Sequence, residues 1–140
     1  MTHPFLDTNV IIRFLTGDDP QKQAASARLF EQVEKGKVTV AAPDTVIADA
    51  VYVLSSKRLY HLPRQQVSAL LTPLVRLPGF HVQNRKTVLR ALALYAASTT
   101  LDFGDIMILS AMEQARSHIL YSYDTGIDSP AIKREEPKAA

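Results

Sequence analysis

Short apolar runs alternate along this chain with much longer stretches of helical periodicity, and that alternation limits the folds open to it. Pro4–Leu6, KVTVAA at 37–42, Phe80–Val82 and HILYSYD at 118–124 read as strands. Between them the spacing predicts helices over Thr8–Leu15, Pro20–Lys35, Val46–Leu54, Pro63–Leu77, Thr87–Ala97 and residues 103–116. Gly17-Asp18-Asp19-Pro20 and Pro78-Gly79 act as breaks, and Asp44, Asn84 and Asp102 as candidate N-caps. The tail beyond Pro130 is too polar to assign. Strands separated by helices imply βα units, hence a parallel sheet with helices on both faces. The expectation is an α/β fold: a three-layer α/β/α sandwich around a central parallel sheet of four to five short strands. In such sheets ligands bind at the carboxyl ends of the strands.

At 140 residues the chain fits a single domain over 1–140 with a substantial core. No apolar stretch approaches the length that spans a bilayer, and the start lacks a signal-peptide pattern. A cytoplasmic location is therefore expected. The sequence holds no cysteine, which excludes disulfides and thiolate-bound zinc and leaves oxygen or imidazole to hold any metal.

Four aspartates occupy telling positions. Asp7 closes the first strand and Asp124 the last clear one, which puts both at the carboxyl edge of the sheet. Each also suits an ordinary role, since Asp favours the turn after a strand. Asp49 sits inside VIADAVYVL, an apolar helix where Asp has poor propensity, so a polar pocket or a cation is favoured over a water-facing acid. Asp105 lies in the first turn of its helix, three residues after the N-cap candidate Asp102, where the helix dipole alone would favour it. Four carboxylates brought together repel one another, and a divalent cation such as Mg²⁺ or Mn²⁺ resolves the repulsion. Such an ion can activate water against a phosphate. With four acids so occupied, sixteen basic groups face ten acidic ones elsewhere, a balance that permits RNA without demanding it, since ordinary solvated lysines account for it more readily. Arg13, Lys57 and Arg85 are the weak candidates for holding its backbone, although solvated surface is the commoner fate of such residues.

FLDTNVIIRFLTGDDP, TVIADAVYVLSS, LDFGDIMILSAM and ILYSYDTGID, in that order, resemble the blocks of PIN-domain nucleases, above all VapC-type toxins of toxin–antitoxin pairs. The resemblance covers Phe5 to about Pro137. It implies a Mg²⁺- or Mn²⁺-dependent endoribonuclease, usually a homodimer, silenced by a cognate antitoxin. By position it makes Asp7, Asp105 and Asp124 the metal-holding acids, Asp49 the second acid of the catalytic set, and Thr8 and Asn9 supporting polar residues. The family usually has Glu where this chain has Asp49, and the lost methylene shortens the reach by about 1.3 Å. That departure keeps a second reading open, a non-catalytic PIN scaffold that binds RNA or protein. An aspartyl-phosphate phosphatase is weaker, because its second acid would fall at Asn9.

Overall fold

A computed structural model describes residues 2–127 and 129–139. The chain enters as an extended segment in which Phe5 pairs with Ala41 in a parallel bridge. Leu6 donates its N–H to the Ala41 carbonyl at 3.0 Å, and Ala41 donates to the Pro4 carbonyl at 2.8 Å. Helices α1 (Thr8–Leu15) and α2 (Pro20–Glu34) follow. Asp19 caps α2 by accepting from the Lys22 N–H, and Pro20 stands at the helix start, where a missing N–H costs nothing. Strand β1 (Val40–Ala42) leads into α3 (Asp44–Ser55), then α4 (Arg64–Arg76), β2 (Phe80–Val82), α5 (Arg85–Ala97), α6 (Phe103–Ala115), β3 (Ile119–Tyr121) and β4 (Lys133–Glu135).

The core lies where the helical stripes meet β1 and β2. Ile47, Leu54, Leu71, Phe80, Leu92 and Ile106 are fully enclosed, at spacings that put one face of each helix inward. Helix α4 packs on α5, α5 on α6, and α1 on both α2 and α3. The fully buried Ser110 hydroxyl donates to the Thr87 carbonyl at 2.7 Å and so ties α6 to α5. Gly79 fits where a side chain would not: a Cβ there would stand 3.1 Å from both the Val33 carbonyl oxygen and its Cγ1.

The helices and parallel pairing are those of an α/β fold, but the sheet differs from the continuous one expected. Strands β1 and β2 form one parallel pair and β3 and β4 another. Among the described residues no ladder or bridge joins the pairs. The physical difference lies in what covers them. Strand β1 is buried throughout, whereas Ile119 and Tyr121 of β3 are exposed. Three local expectations also change. Asp44 stands inside α3 at its first position, and Pro43 takes the N-cap place. The tail does contain a strand, β4, whose charged Lys133-Arg134-Glu135 gives no apolar signal. Asn84 takes the N-cap position of α5 with φ at +56°, but its side chain donates to the Asp44 carboxylate at 3.1 Å instead of capping the helix.

Candidate active site

The strand ends and helix starts settle where each candidate acid stands. Asp7 follows the paired Leu6 and is the N-cap of α1; its Oδ1 accepts from the Thr8 N–H at 2.6 Å. It is exposed, at the carboxyl edge of the first sheet. Thr8 is half-buried at the first position of α1, and Asn9 beside it is exposed.

Asp124 is exposed in the turn after β3. Its N–H donates to the Ser122 hydroxyl at 3.0 Å, and its Oδ1 accepts from the Gly126 N–H at 2.8 Å. This is the local turn chemistry that the sequence allowed for, and it leaves the second carboxylate oxygen free of that turn.

Asp105 lies in the first turn of α6, half-buried, with its backbone N–H held at 2.8 Å by Oδ1 of the N-cap Asp102. Burial pushes its carboxyl above the ordinary carboxylate range, and the charges of Asp102 and Asp124 push it further the same way. Like-charge crowding of this kind is characteristic of a site built for a cation or for proton transfer.

Asp49 does not sit in a closed pocket. Its neighbours Val46, Ile47, Ala50 and Val51 form the buried face of α3, and Asp49 falls on the opposite, solvent-exposed face. The apolar surroundings visible in the sequence are neighbours along the chain, not in space.

The structure thus brings Asp105 under the influence of Asp124, with Asp102 alongside. Among the described residues no group of three or more His, Cys, Asp or Glu side chains is placed to hold a metal ion. The donors still suit a hard divalent cation in one respect. Mg²⁺ is commonly held by one or two carboxylates and completed by waters and substrate phosphates, and Asp105, which feels the charge of Asp124, supplies an oxygen donor of that chemistry.

The three basic candidates divide. Arg13 is paired with Asp18 at 3.3 Å, and Lys57 is exposed just beyond α3. Arg85 turns inward and donates to the carbonyls of Leu77 and Phe80, which fastens the end of α4 to β2. One arginine escaped the sequence reading. Arg64, at the start of α4, lays its guanidinium over the Tyr95 ring, 4.3 Å from the centroid. No spacing or motif in the sequence signals that contact.

Comparison with curated proteins finds no match. Over residues 5–133, which include all four candidate acids, the chain matches the PIN domain family, whose members are generally nucleases. The chain belongs to the PIN domain family.

Proposed function

We propose that this protein is a Mg²⁺- or Mn²⁺-dependent endoribonuclease and the toxin of a toxin–antitoxin pair. The observation that carries the reading is the crowding of Asp105 by Asp102 and Asp124, inside a chain that matches a nuclease family. Asp105 and Asp124 would hold the cation, and Asp7, at the carboxyl edge of the first sheet, is the third metal-holding acid that the sequence resemblance implies. When bound, the cation offsets charge on the scissile phosphate and lowers the pKa of water.

The remaining work belongs to the side chains. Asp49, free in solvent on α3, accepts a hydrogen bond from the attacking water and aligns it. The water oxygen forms the new bond to phosphorus as the bond to the leaving ribose oxygen breaks; the water's proton passes to Asp49, and the leaving oxygen takes up a proton from solvent. Thr8 and Asn9 steady the first acid from the start of α1. Lys57, exposed, and Arg13, paired with Asp18, are the basic candidates for the RNA backbone; Arg85 is engaged with backbone carbonyls. The cognate antitoxin and a homodimer belong to the same proposal, resting on the resemblance of the sequence blocks. None of the described helices is long and apolar enough to cross a membrane.

The test is cleavage of single-stranded RNA by the purified chain with Mg²⁺ or Mn²⁺, with EDTA, and after Asp7→Asn. Cleavage should need the metal and fall by at least about 100-fold in the variant. A variant that cuts as well as the parent refutes the mechanism. A non-catalytic PIN scaffold is the second reading, favoured by the lack of a three-member metal group among the described residues. On that reading Mn²⁺ leaves the melting temperature unchanged, because only binding to the native state stabilises it.

A further inference from the structure

A cleft of about 370 Å³ opens between α3, the start of α4, α5 and the start of α6, bordered by Tyr52, Ser55, Arg64, Tyr95, Asp102 and Gly104. Its walls are continuous with the candidate acids: Tyr52 lies one helical turn beyond Asp49, and Gly104 immediately precedes Asp105. The volume is at the low end of the range for small-molecule sites, about 300–1,000 Å³. It admits one nucleotide, not a duplex or a folded partner.

The cleft carries an unanswered charge. Arg64 Nη1 is fully buried and, among the described residues, has no hydrogen-bond partner. The Tyr95 ring, only 4% exposed, covers the guanidinium face. A π-face attracts a cation but accepts none of its in-plane N–H donors in the way an oxygen does. The nearest acid in the lining is already engaged, since Asp102 Oδ1 holds the Asp105 N–H, and no ion pair links Asp102 to Arg64 among the described residues. A buried donor left unmatched is costly. Arg64 as a whole is half-buried and lines the cleft, so a small turn of the guanidinium brings this edge to an anionic oxygen entering there.

At the rim the chemistry changes. Tyr52 is 71% exposed, and its ring presents a large flat apolar surface to water. A fixed cation inside and an exposed aromatic ring at the mouth, next to the proposed cutting site, match a phosphate and its base. We propose that this cleft is a nucleotide subsite for single-stranded RNA, with a backbone phosphate on Arg64 and the neighbouring base stacked on Tyr52. The proposal rests on the ribonuclease reading for its substrate class. Duplex RNA is disfavoured because its bases are already stacked. An acidic peptide offers the carboxylate but no flat ring for Tyr52.

The test is fluorescence anisotropy with a short labelled single-stranded RNA and the full chain in EDTA, so that binding is read without cleavage. Tyr52→Ala, at an exposed position, should weaken binding by about 5- to 100-fold with little change in melting temperature. Arg64→Gln should weaken it about 10-fold and reduce the salt dependence by the equivalent of about one phosphate contact. Arg64→Lys should recover part of the loss while the fold, read by circular dichroism, stays that of the parent. Parent-like binding by both Tyr52→Ala and Arg64→Gln overturns the proposal. So does equal affinity for duplex RNA, or displacement of the RNA by oligoglutamate at matching charge concentration. Adding Mn²⁺ separates the two readings. RNA binding that depends on Tyr52 and Arg64 without cleavage sinks the nuclease and leaves the subsite. Cleavage with KM unchanged in both variants sinks the subsite and leaves the nuclease.

Discussion

Replacing Asp105 by Asn separates what the residue costs the fold from what it does for the site. Asparagine keeps the size of the side chain, and the backbone N–H that Asp102 holds at 2.8 Å is unaffected. Only the charge goes. Because burial, Asp102 and Asp124 all raise the carboxyl's pKa, the folded state binds that proton more tightly than the unfolded state does. Above the raised pKa the charged group therefore works against folding, and as pH falls through it the penalty disappears. At neutral pH and without metal, Asp105→Asn should be more stable than the parent by about 0.5–1 kcal/mol, the usual return from relieving a strained functional position. An unfolding entropy of about 2.1 cal/mol/K per residue gives roughly 0.3 kcal/mol/K for this chain, hence a rise of about 2–3 °C. Toward acid pH the two proteins should converge, since protonated Asp resembles Asn. Saturating Mn²⁺ reverses the order. At 100 times its dissociation constant it stabilises the parent by about 2.7 kcal/mol, or roughly 9 °C, and the variant by little. Differential scanning fluorimetry at several pH values, with and without Mn²⁺, reads all of this. A metal-free variant less stable than the parent at pH 7, or an equal Mn²⁺ shift in both, refutes the reasoning.

Tyr60 donates to Asp18 at 2.7 Å and, with Thr16 and Arg13, holds that carboxyl below its usual range. The resulting stabilisation is present above the unfolded pKa and is lost as pH falls through the lowered one. Tyr60→Phe should bring the Asp18 titration back toward the ordinary value, as carboxyl NMR would show; an unmoved titration rules the contact out. Leu54→Ala, at a fully enclosed position, should cost about 2–5 kcal/mol and lower the melting temperature by roughly 7–17 °C. Asp49→Glu restores the longer acid usual at that place in the family and should match or exceed the parent in RNA cleavage, whereas Asp49→Asn should fall below it. A Glu variant weaker than the Asn variant would remove Asp49 from the site.

How much of this was legible beforehand follows from range. The helices were readable because their signals are local: apolar spacing, Pro20 at the start of α2, Asp102 as the cap of α6. Strand existence was readable for β1, β2 and β3, but strand partners were not, because pairing depends on contacts between segments tens of residues apart. The charged strand β4 had no apolar pattern to show. Among the acids, Asp105 drew attention through its place in a helix start, and the structure adds the crowding that gives that place chemical meaning. For Asp49 the apolar residues are neighbours along the chain and not in space, and the helix turns its side chain to water. Arg64 on Tyr95 joins residues from two different helices, and nothing in either segment alone announces it.

The two strand pairs have a bearing on handling the protein. Leu6 and Pro4 use their backbone groups on Ala41, so the N–H and carbonyl of Phe5 point to the other side, beneath a side chain that is 72% exposed. His118 and Ser122 bond to β4, so Ile119 and Tyr121 likewise turn their amides outward, and both side chains meet water. β4 guards its own margin with Lys133 and Glu135, the usual protection of a sheet's rim, while β3 and Phe5 have no such guard. When the protein is concentrated, sticking should begin along those two bare margins. A lysine at Ile119 or Tyr121 is the change to make for better solubility.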